Sequence, residues 1–192
     1  MANIYYEMND HINVVGELEK VLQVDPDCHQ ANNFLGYFFV EKGEKLEEAL
    51  SLIEKALSVE PENGAYLDSL GWAYYKLAAE DDSEKIILAL QKLIEASKYA
   101  EDSEIVGHIG DVYYCLGFWE EAQKQWERAL GLWEKVTRET SPHLIHETAR
   151  ELKAKKTVQN KLEKLQYLKM VENSMKRLKS GEKVVSSNIQ RK

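Results

Sequence analysis

Apolar positions recur every three or four residues along most of the chain, the spacing that lays one face of an α-helix against a core. The pattern predicts helices near 9–24, 28–42, 45–58, 63–78, 84–98, 103–116 and 119–136. Three prolines and ten glycines among 192 residues leave room for long unbroken helices. Beyond them, Ser141-Pro142 reads as a helix start, with serine as the cap and proline in the first turn. From there Ile145, Ala149, Leu152, Val158, Leu162, Leu165, Leu168, Val171, Met175 and Leu178 continue at helical spacing. Ser180 to Lys192 is short and polar and reads as a mobile tail.

The helical pattern is repetitive. Leu35-Gly36 with Phe39 precedes Ala49, Ile53, Ala56 and Pro61. Leu70-Gly71 with Tyr74 precedes an apolar helix near Ile86–Leu93. Ile109-Gly110 with Tyr113 precedes Gly117, Ala122, Trp126 and Ala129. Counting back from Pro26, the set Val14, Leu18 and Val21 falls where Ala49, Ile53 and Ala56 fall before Pro61, which makes a fourth, partial copy. Gly36 and Gly71 are 35 residues apart, and Gly71 and Gly110 are 39 apart.

These residues resemble the tetratricopeptide repeat, which has a period of about 34 residues, an L-G-x2-Y first helix and an A-x3-F second helix. The resemblance covers roughly residues 1–136, and its wording is closest to bacterial members of the family. Three departures stand out. The turn at Lys42-Gly43-Glu44-Lys45 has one extra residue, the stretch Ala79–Ser83 has several, and the last copy lacks the closing proline. The insertion at Ala79–Ser83 leaves the second helix of the middle copy without a secure phase.

The resemblance implies an all-α fold: a right-handed α-solenoid of stacked antiparallel helix pairs, about 3.5 repeat units long, plus a C-terminal capping helix. The expected segments are a repeat domain over 1–140, a basic capping and projecting helix over 141–179, and a tail over 180–192. Aligned on the motif, Met1 already lies halfway along a first helix, so either the chain is a piece of a longer array, the preferred expectation, or its first pair is capped differently. One hairpin cannot bury its apolar face alone, so pairs must stack and a terminal cap needs a polar far side. The cap accounts for the first part of the C-terminal helix. The part beyond about Leu165 is expected to project.

Charge divides the chain in the same place. Residues 1–140 carry 12 Lys+Arg against 28 Asp+Glu, and residues 141–192 carry 13 against 5. A body at −16 repels phosphates, which argues against nucleic acid. The basic helix has no tryptophan or phenylalanine on its apolar stripe, so a membrane surface is not the expected partner. No apolar run approaches the ~20 residues that span a bilayer, and MANIYYEMND has neither the basic patch nor the apolar stretch of a signal peptide. Cytoplasm and periplasm both remain open.

Candidate chemistry adds little. Cys28 and Cys115 are 87 positions apart and form neither a disulfide framework nor a metal spacing. His143 and His146 share a helix face, but His146-Glu147 is followed by Arg150, so no HExxH zinc pattern is completed. No GxSxG elbow or GxxxxGK phosphate loop occurs. The expectation is a protein without catalytic activity and without a cofactor.

In the family, first helices line a concave groove that holds extended peptides or helices. The resemblance therefore implies partner-facing positions at Asn33, Phe34 and Tyr37, at Asp68, Ser69, Trp72, Tyr75 and Lys76, and at His108, Asp111, Tyr114 and Cys115. The Lys, Arg and Asn clamp that some members use for acidic C-terminal peptides is absent. Asp68 and Asp111 would make the groove acidic and the tyrosines and Trp72 would make it aromatic, suiting a partner with apolar and basic residues. Tyr74 and Tyr113 are assigned to the core. The alternatives are a structural element that forms a homo-oligomer through its C-terminal helix, and an auxiliary domain of a longer envelope or secretion component.

Overall fold

The computed structural model describes residues 11–78, 82–139 and 149–179. Among the described residues, eight helices follow one another: α1 (His11–Val24), α2 (His29–Lys42), α3 (Leu46–Val59), α4 (Gly64–Leu77), α5 (Ser83–Tyr99), α6 (Ser103–Cys115), α7 (Trp119–Glu139) and α8 (Ala149–Lys179). Contacts are densest within the pairs α2–α3, α4–α5 and α6–α7, and each pair also touches the next. First helices meet first helices, α2 with α4 and α4 with α6. The molecule is a right-handed α-solenoid of three full antiparallel pairs, with α1 at one end and α8 at the other.

Two side-chain rules hold each pair together. The second helices bury an alanine, a large residue and an alanine at a fixed spacing: Ala49-Ile53-Ala56, Ala89-Leu93-Ala96 and Ala122-Trp126-Ala129. The large residue of each triplet lies against the glycine of the first helix. A Cβ built on Gly36 would lie 2.7 Å from Ile53, one on Gly71 2.7 Å from Leu93, and one on Gly110 2.5 Å from the Trp126 ring. The missing Cβ lets the helices approach, and each buried large side chain contributes roughly 1.5–3 kcal/mol. The triplet in α5 gives the middle copy the phase that the inserted residues hid.

Helix ends follow local chemistry. Asn63, Asp82 and Asp102 accept backbone N–H groups in the first turns of α4, α5 and α6. The extra residue between α2 and α3 is absorbed by two left-handed positions, Gly43 at φ 67° and Lys45 at φ 47°. Left-handed backbone costs a non-glycine residue about 1–2 kcal/mol. The Lys45 ammonium lies 4.7 Å from the Phe39 ring centroid, a cation–π contact at the strained position.

The last helix repeats the register of a first helix. Val158, Leu162 and Leu165 are buried in α8 as Ile105, Ile109 and Val112 are buried in α6, each pair 53 residues apart. They pack on Ala122 and Trp126 of α7. At the place of Gly110, however, α8 carries the exposed Glu163. No second helix follows to cover that side among the described residues, and a polar outer face is what the end of a stack requires. Farther along, Tyr167, Met170 and Met175 are exposed. The expected start at Ser141-Pro142, the tail from Ser180 and the His143/His146 pair lie outside the described residues.

Candidate functional site

Successive first helices pair their polar side chains along one seam. Trp72 on α4 stacks on His108 of α6 at 4.0 Å between ring centroids and on Tyr75 at 4.8 Å. Its indole N–H donates to Glu41 Oε1 on α2 at 2.8 Å. Asp68 on α4 and His108 on α6 form a buried pair at 2.9 Å. The Tyr37 hydroxyl on α2 donates to Glu104 Oε1 on α6 at 2.7 Å, a contact that passes over α4 and shows how tightly the stack curves.

The pairing is a consequence of register. Asp68 sits three residues before Gly71, and His108 two before Gly110. The same two places one repeat earlier hold Asn33 and Ser69. There the Ser69 hydroxyl donates to the Ala65 carbonyl instead, and Asn33 Oδ1 has no hydrogen-bond partner.

Burial disfavours charge on His108, the largest single effect on it. The charge and hydrogen bond of Asp68, with the charges of Glu104 and Asp111, outweigh burial and raise the imidazole to about 9. Burial pushes the Asp68 carboxyl up, and the His108 charge and hydrogen bond offset part of that. Tyr75 is pushed up to about 12 by burial, then by the charges of Asp111 and Cys115.

The expected groove residues therefore divide. Tyr37, Asp68, Ser69, Trp72 and His108 are buried and meet other protein groups. Asn33, Phe34, Tyr75, Asp111 and Tyr114 are half-buried, while Lys76 and Cys115 are exposed. The Lys76 ammonium lies 4.8 Å from the Trp72 ring centroid. Both carboxylates expected to make the groove acidic are engaged within the chain. Asp68 holds His108, and Asp111 accepts from the Trp126 indole at 2.9 Å and from Lys161 of α8 at 2.6 Å on each oxygen. Tyr74 and Tyr113, assigned to the core, are half-buried and pack against the buried clusters.

The contributions of Glu41 and Lys161, and the pairing of Glu104 with Tyr37, escaped sequence reasoning. Their partners lie one or two repeats away, and only a comparison of equivalent positions could have found them. No group of three or more His, Cys, Asp or Glu suited to a metal occurs among the described residues. No helix there is long and apolar enough to cross a membrane.

This site and fold define a class, the superhelical stacks of antiparallel helix pairs. No protein-family model matches the chain. A tetratricopeptide-repeat-containing protein of Pseudomonas aeruginosa is 32% identical over 103 residues, which is 54% of this chain and 16% of that protein. The chain thus spans under a fifth of the length of that curated relative. Among solved structures, the thermophilic TPR protein TTC0263 of Thermus thermophilus superposes with a TM-score of 0.63 at 20% identity, over 68% of this chain and 70% of that one. MamA from Desulfovibrio magneticus RS-1 gives 0.56 at 17% identity, over 73% and 75%. YrrB, described as a TPR protein with an unusual peptide-binding site, gives 0.52 at 23% identity, over 88% of each chain. The fold is the one these tetratricopeptide-repeat structures share.

Proposed function

We propose that this chain is a protein-interaction module that holds a segment of a partner protein, rich in apolar and basic residues, against the face formed by α2, α4 and α6. One observation carries the reading. Tyr75 and Tyr114 stand four residues after Gly71 and Gly110, at the same place in neighbouring first helices, and both are half-buried. Half-buried aromatics offer a partner large contact area at small entropic cost. Phe34 and Asn33, both half-buried, belong to the same face. Basic residues on the partner are favoured by the net charge of −16 over residues 1–140, which steers encounter even though Asp68 and Asp111 are internally paired. The peptide-binding site named for YrrB is a property of that protein, and here it supports the analogy only. No catalytic step is assigned.

A photo-reactive phenylalanine analogue placed at Tyr75 or Tyr114 tests the reading, with Ile87, exposed on the second helix α5, as the control position. The expected result is partner adducts from the two tyrosine positions and none from Ile87. Adducts from Ile87 alone would contradict the proposal. A second reading, a homo-oligomer through α8, draws support from the exposed Tyr167, Met170 and Met175. It expects Met170→Glu with Met175→Glu to halve the mass in solution, and an unchanged mass removes it.

A further inference from the structure

We infer that the Tyr37–Glu104 hydrogen bond is a strut that sets the curvature of the stack, and that Ser69 is the small residue that lets it pass. The inference concerns the shape of the first-helix face and holds whatever that face binds.

One register rule runs along the seam. The residue just after the marker glycine of a first helix meets the residue two before the marker on the next first helix. Trp72, after Gly71, stacks on His108 of α6. Asp111, after Gly110, takes the Lys161 ammonium of α8, two before Glu163. On α2 the residue after Gly36 is Tyr37, and the rule brings it to Ser69, two before Gly71. Phe34 and His108 hold that place on α2 and α6, so Ser69 is the short side chain of the three. Tyr37 and Ser69 are both buried, at 8% and 3% exposure. The tyrosine therefore runs on to the following helix, where its hydroxyl donates to Glu104 Oε1 at 2.7 Å. Glu104 lies six residues before Gly110. A path from one residue past the marker on α2 to six before it on α6 crosses α4 between Asp68 and Ser69.

Helix axes in contact lie about 8–10 Å apart, so a straight stack sets α2 and α6 roughly 16–20 Å apart with α4 between them. A direct bond over α4 closes when the stack bends toward the seam. The other seam bonds join neighbouring first helices and tolerate small changes of angle between pairs. The Tyr37–Glu104 bond joins second neighbours, so it is made at one curvature and lost at flatter ones. Curvature in a solenoid accumulates from small rotations between repeats, and a bond across two of them fixes their sum. The acceptor is a carboxylate, and hydrogen bonds to ionised groups are the shorter and stronger kind.

Distances between nitroxide labels test this in the full chain. With Cys28 replaced by Ser, labels are attached to Cys115, exposed at the end of α6, and to Gln30→Cys at the exposed first turn of α2. Double electron–electron resonance then reads the separation, and circular dichroism verifies that each variant keeps its helix content. Tyr37→Phe keeps the ring and loses the hydroxyl, Glu104→Ala loses the acceptor, and Ser69→Phe puts a ring in the path of the strut. Each is expected to lengthen the mean distance by several ångström and to broaden its distribution. Glu104→Gln keeps an acceptor of the same reach. Ser69→Ala keeps the clearance and loses the hydroxyl bond to the Ala65 carbonyl. Tyr66→Phe breaks the bond to His29 between the neighbouring helices α4 and α2. These three are expected to match the wild-type distribution. An unchanged distribution in Tyr37→Phe and Glu104→Ala overturns the strut. Equal lengthening by Tyr66→Phe and Ser69→Ala also overturns it, because the loss of any bond would then loosen the stack. A wild-type distance in Ser69→Phe overturns the role given to Ser69.

Discussion

Helices α6 and α8 bury the same triplet of positions, yet among the described residues one is half of a hairpin and the other has no second helix after it. Gly110 admits the Trp126 ring against α6, whereas Glu163 occupies the equivalent place on α8 and faces solvent. The difference lies at one position in the register: a glycine there admits the large side chain of a second helix, while a carboxylate there suits solvent. The comparison also explains the change of charge along the chain. The repeats carry the acidic residues, and the cap brings lysines to them, of which Lys161 closes on Asp111.

The hairpin side is expected to break hardest. Trp126→Ala removes the ring packed on Gly110 and leaves Asp111 without its indole donor, at a cost of about 4 kcal/mol in urea unfolding. Gly71→Val drives side-chain atoms into Leu93 and the Ala89 carbonyl and costs about 3 kcal/mol. Glu163→Ala, at the equivalent place on α8, changes stability by less than about 0.5 kcal/mol. A cost at Glu163 as large as that at Gly71 would show that α8 is covered on its outer side.

Leu165→Ala, at a fully buried site, is expected to cost about 3 kcal/mol, felt mainly as faster amide exchange in α8 while α2 to α6 keep their protection. Equal acceleration in α2 would mean that cap and repeats unfold as one unit. Lys161→Ala costs at most about 1 kcal/mol, since the ammonium is one-third exposed.

Stability is also expected to depend on pH. His108 binds its proton more tightly in the folded chain, at about 9 against an ordinary value near 6.5. Its contribution is therefore fully present below about pH 6.5 and is lost as pH rises through about 9. The urea midpoint of the wild type is expected to fall over that window, and that of His108→Gln to stay flatter. Identical profiles would mean that the Asp68–His108 pair is not ionised as described.

Much of this fold was legible in the sequence. The three glycines and the Ala-x3-large-x2-Ala spacing mark two full pairs directly. The middle second helix was hidden because inserted residues move Ala89-Leu93-Ala96 40 positions from Ala49-Ile53-Ala56, against the 33 that separate it from the last triplet. The site was less legible. Trp72, Asp68 and His108 were visible as groove residues, but their mutual burial depends on curvature, which also brings Tyr37 to Glu104 across 67 residues. Because α8 carries no glycine at the marker position, its equivalence to a first helix emerges only from which residues it buries.

The central claim is that partners are held on the first-helix face, and affinity capture from the source cell with the wild-type chain and the Tyr75→Ala/Tyr114→Ala variant tests it most directly. With equal helix content in both, the account predicts that proteins retained by the wild type are lost from the double variant. Retention of every one of them by the variant would contradict it.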